Sequence, residues 1–426
     1  MTGTGRFERR LHVGLDELAE PRFPDYFDEV LAVTSRRRQR PAWTFPGRWI
    51  PMVDIARRPA FAPSLPWRAI VLVLALLLAA GLGLFVVGSA NRAAPPFGAA
   101  RNGLIVYSSN GDIYAGDPNG GSKLILGGPA EDVEPNYSRT GTRLFFIRSQ
   151  TDTMNTFWTM NADGSHIKQV TPDPIATLTM YDWGPTDDAI YYVAGELGTL
   201  RLHSVAADGS AQPRIIAPDL AISAFWFRPP DGREMVVRTQ DSSGVALWVM
   251  NVDGTNRRML VAPNGSDPEE HDMAEPRYSP DGTKIAYQRW NWNGTDYQNM
   301  QMHVINADGT GDHVIPDPGA TFDGWPVWTV DSKQLVIQRA FPNGSTYLDF
   351  GYPYAIFNAD GTGSARPIGP PVAGQHAEIS PDGTKLITFW GDDPSKTQTI
   401  IDLADGTFKS VPWSTGSYPS WQRLAP

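Results

Sequence analysis

Short apolar runs alternate with tight polar turns along most of the chain. From residue 102 onwards, runs such as MHVI and YAIF are each followed by an Asx-Gly pair. Asp and Asn tolerate left-handed backbone and Gly accepts positive φ, so such pairs between apolar runs are typical of β-hairpins. The pattern predicts an all-β region. The turns begin at Asn119, Asp163, Asp208, Asp253, Asp308, Asp360 and Asp405.

The turns recur at a period of about 45 residues, with two longer intervals, and this period is typical of a four-stranded propeller blade. A second signal precedes the hairpins. A short strand ends in an aromatic or apolar residue and meets a Pro-Asp-Gly-like turn, as in EPRYSPDGTKIAYQR and HAEISPDGTKLITFW. The strands so marked end at Tyr137, Trp183, Phe227, Tyr278, Trp328 and Ile379.

The marked strands are one fewer than the Asx-Gly turns, and the two ends of the repeat explain why. The first repeat, NGLIVYSSNGDIYAG, starts directly with its second strand, and Trp421 in the C-terminal SYPSWQRLAP stands at the missing position. We therefore expect the C-terminal strand to complete the N-terminal blade, which leaves no open sheet edge. The count predicts a seven-bladed β-propeller, with six blades as the alternative.

The pairing of SPDGTKIAY with VINADGT, and of SPDGTKLIT with IDLADGT, resembles the TolB-like, WD-repeat-like bacterial β-propellers. The resemblance covers roughly residues 102–426. It implies a propeller that binds ligands on its faces and in its channel. The family includes periplasmic scaffold proteins, and similar propellers serve as accessory domains of peptidases and occasionally as lyases. This chain has no GxSxG nucleophile elbow and no room for a hydrolase domain.

One apolar stretch predicts the topology. Residues 69–88 contain no charged side chain, and about 20 such residues cross the bilayer as a helix. A buried helix and a cleaved signal peptide are the alternatives. Arg57, Arg58 and Arg68 precede the stretch, so the positive-inside rule places the N-terminus in the cytoplasm and the propeller outside the inner membrane. The predicted parts are a cytoplasmic segment (1–66), a transmembrane helix in the lipid bilayer (67–91), a linker (92–101) and the propeller (102–426).

The N-terminal segment shows helical spacing at Phe7, Leu11, Leu15 and Leu18, and a second helix is predicted from Pro24. A short helical segment, one span and an external domain resemble the layout of membrane-bound anti-sigma factors. That layout implies a cytoplasmic regulator bound by residues 1–66. The His and two Cys of the zinc-type anti-sigma signature are absent from this sequence.

Composition excludes several classes of chemistry. The chain contains no cysteine, which excludes disulfides, thiolate catalysis and cysteine zinc sites. The formal net charge is −10, and residues 1–68 carry +4, which leaves −14 for the rest. Nucleic-acid binding needs a basic face, so no nucleic-acid partner is expected. No cofactor is expected either.

Two candidate sites involve carboxylates. In SDPEEHDMAEPRYS, the residues Glu269, His271 and Asp272 suit a hard cation or a transition metal, and the alternative is a solvated acidic loop. The aspartates of the hairpin turns lack the alternating ligands of a calcium loop. We expect them to be structural turn residues, namely Asp163, Asp208, Asp253, Asp308, Asp360 and Asp405.

Two long insertions, WNWNGTDYQNM and FPNGSTYLDFGYPY, account for the longer repeat intervals. Aromatic side chains on loops beside Asn and Asp suit glycan or peptide binding, with ordinary loop packing as the alternative. The candidate ligand-binding residues are Trp290, Trp292, Tyr297, Tyr347, Tyr352 and Tyr354.

The leading hypothesis is a membrane-anchored, non-enzymatic binding or scaffold module for protein or glycan ligands at the bacterial envelope. The second is a transmembrane signal transducer of the anti-sigma type, with the propeller as sensor. The third is a metal-dependent lyase or hydrolase. No Ser-His-Asp group can be assembled from the scattered histidines, so an enzyme is not expected.

Overall fold

The computed structural model describes residues 71–76, 94–151, 154–196, 198–241, 244–263, 273–292, 297–316, 322–324, 326–340, 354–370, 376–389, 398–413 and 417–426. The chain divides into two compact units, Met1–Ala80 and Gly81–Pro426. Of the first unit, residues 71–76 are described, and they are helical and exposed. Within the described ranges, no helix is both long and apolar enough to cross a membrane. Most of the predicted span at 67–91 lies outside those ranges.

The second unit contains seven antiparallel sheets of four strands, two of which carry an additional short strand. Each sheet is one blade, and blades 2 to 7 each use strands that are consecutive along the chain. Blade 1 contains β1 (Arg101–Ser109), β2 (Asp112–Gly116) and β3 (Ser122–Leu126). Blade 2 contains β4 (Glu131–Tyr137), β5 (Arg143–Thr151), β6 (Met154–Asn161), β7 (Lys168–Gln169) and the short β8 (Ile175–Ala176). Blade 3 contains β9 (Leu178–Trp183), β10 (Ala189–Ala194), β11 (Arg201–Ala206) and β12 (Arg214–Ile216).

The remaining blades repeat this order, and the first strand of blade 6 is split in two. Blade 4 contains β13 (Ile222–Phe227), β14 (Glu234–Asp241), β15 (Gly244–Asn251) and β16 (Arg258–Val261). Blade 5 contains β17 (Met273–Tyr278), β18 (Lys284–Trp292), β19 (Tyr297–Asn306) and β20 (His313–Val314). Blade 6 contains β21 (Phe322–Asp323), β22 (Val327–Trp328), β23 (Gln334–Ala340), β24 (Tyr354–Asn358) and β25 (Arg366–Ile368). Blade 7 contains β26 (His376–Ile379), β27 (Lys385–Phe389), β28 (Thr399–Asp402) and β29 (Phe408–Ser410).

The last strand, β30 (Ser420–Leu424), closes the ring. It pairs antiparallel with β1, and Trp421 lies opposite Ile105. The C-terminal strand is therefore the innermost strand of the N-terminal blade, as the repeat predicted. The seven-blade count is confirmed, and the six-blade alternative is wrong. Closure by two distant parts of the chain thus gives blade 1 the same four strands as the other blades.

The hydrophobic core consists of seven clusters, each lying between two consecutive blades. Successive side chains of a strand point to opposite faces. Phe227 accordingly packs against blade 3, whereas its neighbour Trp226 packs against blade 5. The cluster between blades 7 and 1 contains Trp413 and Trp421. Every blade is thus held on both faces.

Glycines permit the close stacking of neighbouring blades at their turns. Gly282, in the Pro-Asp-Gly turn of blade 5, has φ +70°, and a Cβ there would lie 2.0 Å from the carbonyl oxygen of Pro229 in blade 4. Only glycine avoids both the strain and the clash. The first turns of blades 5 and 6 are joined by a side chain, since Ser332 Oγ accepts the N–H of Asp281 at 3.0 Å.

We predict that Trp421→Ala destabilises the propeller by about 3–5 kcal/mol, the usual cost of emptying a buried aromatic site. Its side chain is 3% exposed in the cluster that closes the ring. Thermal and denaturant unfolding of the full chain would measure the loss. The matched control is Phe408→Ala on the outer strand of blade 7, where the ring is 53% exposed and a change within about 0.5 kcal/mol is expected. Equal effects of the two substitutions would contradict closure through Trp421.

Candidate functional site

The antiparallel order of each blade gives the propeller two different ends. The turns between first and second strands and those between third and fourth strands lie at one end, which we call the turn face. The connections between second and third strands, and those from one blade to the next, lie at the other end, which we call the loop face. First strands of most neighbouring blades contact one another. They therefore surround a central channel that joins the two faces.

The six predicted turn aspartates lie at the turn face. Asp163 Oδ1 accepts hydrogen bonds from Ser165 N at 2.9 Å and Ser165 Oγ at 2.6 Å. Asp253, Asp308, Asp360 and Asp405 accept the same pair of bonds from the Thr two residues later, and Asp208 accepts the Ser210 N–H. The hydroxyl and backbone donors hold the pKa of each of these carboxyls below its usual range. These carboxylates act within their own turns.

Two of the candidate aromatic residues end one strand of the blade 5 hairpin and a third begins the next. β18 runs through Trp290 to Trp292, β19 starts at Tyr297, and Trp292 lies opposite Tyr297 in the register. The hairpin therefore extends to its connection at the loop face. Tyr347 and Tyr352 lie outside the described residues.

The structure contradicts the prediction that Tyr354 binds a ligand. Its side chain is 1% exposed and packs between blades 6 and 7 with Val336, Ile356 and Leu386. The pKa of its hydroxyl is raised by burial. A side chain enclosed in the core offers no surface to a ligand from solution, so Tyr354 is wrong as a ligand-binding residue.

The predicted metal ligands Glu269, His271 and Asp272 lie outside the described residues. Within the described ranges, no group of three or more His, Asp or Glu side chains is placed to hold a metal ion. The prediction at 269–272 therefore remains a prediction.

The residues one position before the marked strand ends occupy equivalent places on the seven inner strands around the channel, and we call this set the channel ring, although its Trp226 side chain is buried between blades 4 and 5. The inner strands bring these seven positions to the same level, because the marked residues occupy equivalent places in every blade. The ring is strongly polar on blades 7, 1, 2 and 3, and it includes an arginine on blade 5. Its members, in blade order from blade 1, are Ser420, Asn136, Asp182, Trp226, Arg277, Val327 and Glu378.

Glu378 carries the most perturbed carboxyl of the ring. Its Oε1 accepts the backbone N–H of Trp421 at 3.2 Å. Burial raises the pKa of this carboxyl and the charge of Asp182 acts in the same direction, while the Trp421 N–H and the charges of Arg277 and Arg139 oppose them; together they bring the pKa to about 7. A carboxyl with this pKa exchanges its proton near neutrality.

Asp182, unlike Glu378, forms an ion pair with an arginine. Its Oδ2 accepts a hydrogen bond from Arg139 Nη2, and its Oδ1 accepts the backbone N–H of Trp183 at 2.7 Å. The Arg139 guanidinium also lies 5.2 Å from the ring centre of Phe97 and 5.9 Å from that of Phe227. Cation–π contacts of this length are attractive and help to hold the guanidinium in place. The two ring acids therefore have different environments, one paired with a cation and one desolvated.

Above the ring, towards the loop face, aromatic side chains line the channel. Tyr418 Oη and His376 Nε2 are 3.1 Å apart, and the Tyr418 ring meets that of Phe389 at 4.5 Å. Burial lowers the pKa of His376 to about 4, with a contribution from the positive charge of Arg277. On the inner strand of blade 3, burial raises the pKa of the Tyr181 hydroxyl, which hydrogen-bonds Glu134. The channel thus combines aromatic surface with carboxylates.

A separate cavity of about 380 Å³ lies between blades 2 and 3. Prolines and Ile215 line it together with Tyr192 and His203, whose rings stack at 5.0 Å. Burial lowers the pKa of His203, so the imidazole is neutral near pH 7. The cavity offers apolar surface with little charge, and the channel is the richer site.

Sequence reasoning did not identify the channel ring, although a signal for it was present. The marked residues Tyr137, Trp183 and Ile379 were recognised as equivalent. The residue before each of them is polar in most repeats. Listing that position across the repeats would have found Asp182 and Glu378, but not their partners, which come from other blades.

Comparisons with known proteins support the fold. No family model matches the chain, and no curated protein matches it. Among solved structures, oligogalacturonate lyase from Vibrio parahaemolyticus is similar with a TM-score of 0.51 at 11% identity, over 73% of this chain and 84% of that one. A puromycin-hydrolyzing peptidase of Mycobacterium tuberculosis is similar with a TM-score of 0.51 at 16% identity, over 76% of this chain and 50% of that one. TolB from Acinetobacter baumannii aligns over 76% of this chain and 81% of its own, at 17% identity and a TM-score of 0.46.

The chain is therefore a seven-bladed β-propeller, a fold that it shares with solved bacterial proteins of different activities. Identities of this size establish the fold alone. Function has to be argued from this chain's own site.

We predict a pH-dependent stability that depends on Glu378. Because its pKa is raised in the folded state, the carboxyl destabilises the fold as pH rises from about 4.5 through 7. Glu378→Gln keeps the acceptor for Trp421 and removes this effect. Because the residue is partly exposed, which reduces the effect, we expect the variant to gain on the order of 2 kcal/mol over wild type above pH 8 and nothing at pH 4.

Denaturant unfolding at several pH values would measure the difference between the two proteins. His376 acts with the opposite sign, since its lowered pKa costs stability as pH falls below about 6.5. It is present in both proteins and cancels in the difference. Glu131→Gln, at an exposed position, is the matched control. A constant difference between wild type and Glu378→Gln across pH would contradict the prediction.

Proposed function

We propose that the protein is a membrane-anchored, non-enzymatic binding or scaffold module whose propeller holds a protein or glycan ligand at the loop face. The apolar stretch 67–91 anchors it in the inner membrane, with residues 1–66 in the cytoplasm and the propeller in the envelope. The ligand would contact the loops around the channel mouth, above the polar ring.

The observation that carries this proposal is the contrast between the two faces. At the turn face, the connections are short, and their Asp side chains are engaged within their own turns. At the loop face, connection lengths vary widely. β14 and β15 are joined by two residues, whereas thirteen residues separate β23 from β24. Variable loops on a rigid scaffold are the usual place of binding residues.

Aromatic content supports the same face. The blade 5 hairpin reaches its connection with Trp292 opposite Tyr297, and the blade 6 connection contains Tyr347 and Tyr352. Large aromatic side chains bring much contact area at low entropic cost and dominate binding energy at interfaces. Glycans and protein segments are both bound well by such surfaces.

We predict that the double variant Trp292→Ala/Tyr352→Ala weakens ligand binding by about 100-fold, since each hot-spot aromatic contributes about 2 kcal/mol, with incomplete additivity. The full chain in nanodiscs would be tested on an array of cell-wall glycans. Photo-crosslinking in intact cells, followed by titration of the captured envelope protein, would test protein ligands.

The control is Phe408→Ala, which removes an exposed aromatic side chain from the outer strand of blade 7. It should leave binding unchanged, and unfolding curves should show that all variants are folded. Unchanged affinity of the double variant for the ligand found would refute the loop-face assignment.

A further inference from the structure

Residues 94–100, which we call the strap, cross the turn face of the propeller. At one end, the N–H of Ala100 donates to the carbonyl of Pro381 in the first turn of blade 7 at 2.8 Å. Further back along the strap, Phe97 packs against the core cluster of blades 3 and 4. A Cβ on Gly232, in the first turn of blade 4, would lie 3.0 Å from the Phe97 ring. Ala94 and Ala100 are both buried.

These contacts lie on opposite sides of the channel. In a closed ring of seven blades, blades 7 and 4 are three steps apart, which is the largest separation possible. A segment that touches both must pass over the opening between them. The strap therefore covers the turn-face mouth of the channel, while the other mouth opens on the loop face.

Two arginines connect the strap to the channel ring. Arg423, on the inner strand of blade 1, donates from Nη2 to the carbonyls of Pro95 at 3.0 Å and Gly98 at 2.6 Å. Arg139 pairs with Asp182 in the ring and lies against Phe97 of the strap. Arg139 thus contacts both the ring and the strap, whereas Arg423 holds the strap from the strand that also carries the ring residue Ser420.

The two guanidinium groups also act on each other. Burial lowers the pKa of Arg423, the positive charge of Arg139 acts in the same direction and the negative charge of Glu378 opposes them; together they bring this pKa to about 10. The Nε atoms of Arg139 and Arg423 are buried and have no hydrogen-bond partner within the described residues. Arg423 therefore experiences the charges of Arg139 and of the ring acid Glu378 while it holds the strap.

We propose that the strap is a releasable closure of the channel, held by Arg423 and Phe97, whose release is controlled by the charged groups of the channel ring. A group that enters from the loop face and neutralises or repositions Asp182 or Glu378 changes the contacts of Arg139 and Arg423. The strap then loosens. Its residues directly follow the apolar stretch 67–91 in the sequence, so its release changes the constraint on the chain that leads to that stretch.

The absence of cysteine allows a direct test that needs no ligand. Ala94→Cys places one thiol at the start of the strap, at a position that is 3% exposed while the strap is bound. In the purified full chain in detergent, the rate of maleimide labelling reports how often the strap opens. We expect slow labelling in this background, and an acceleration of about 10-fold when Arg423→Gln or Phe97→Ala is added, because each removes a contact that holds the strap.

Two controls separate strap release from general loosening. Arg366→Gln removes an arginine of the same kind, which donates to the carbonyl of Leu403 between blades 6 and 7, and it should leave the labelling of Ala94→Cys unchanged. Ala207→Cys places a thiol in the core between blades 2 and 3, at a fully buried position, and Arg423→Gln should not accelerate its labelling. An equal acceleration at both thiols, or none at Ala94→Cys, would overturn the proposal.

The link to the channel ring is tested by charge. Asp182→Asn removes the anionic partner of Arg139, and we expect it to accelerate labelling of Ala94→Cys about threefold through the weakened pair. Asp331→Asn, an exposed aspartate in the first turn of blade 6, is the matched control and should have no effect. If Arg423→Gln accelerates labelling but Asp182→Asn does not, the strap is a releasable closure, and its control by the charges of the channel ring is refuted.

Discussion

The structure depends on one contact between distant parts of the chain, the pairing of β30 with β1. It supplies the inner strand of blade 1 and places Trp421 in the cluster that joins blades 7 and 1. Without it, the first blade would lack its channel wall, and the inner strand of blade 7 would contact no neighbour on that side. Each of the other clusters joins blades that are already adjacent in sequence. Ring closure therefore fixes the diameter of the channel and the positions of all side chains that line it.

Closure also explains which features could be predicted from the sequence. The turns at Asp163 or Asp308 rest on hydrogen bonds to residues two positions away, so their chemistry is visible in a few letters. Blade number follows from counting those turns. The pairs Arg139–Asp182 and Glu378–Trp421 join residues 43 positions apart in each case, and no local pattern indicates them. The site was therefore less predictable than the fold.

The error at Tyr354 has a physical reason of the same kind. This residue was grouped with the aromatic loop that precedes it. It is instead the first residue of β24, in the alternating run Tyr354, Ile356, in which both side chains are buried between the same two blades. Alternation within the strand, rather than proximity to the loop, decides where a side chain points. The same rule places Trp226 and Phe227 in different clusters although they are adjacent in the chain.

The channel differs at its two ends because its acids have different partners. Near the loop face, the ring of Tyr418 packs against those of His376 and Phe389. At the ring, Asp182 is neutralised by Arg139, whereas the nearest donor of Glu378 is a backbone N–H. An unpaired desolvated carboxyl is costly, and it is tolerated where it can exchange its proton or meet a cation. Arg139, the partner of Asp182, also lies against Phe97 of the strap, so under the proposed closure a change of charge at the ring reaches the turn-face mouth. A propeller that closes its ring with a C-terminal strand can in this way connect events in its channel to the segment that enters it at the N-terminus.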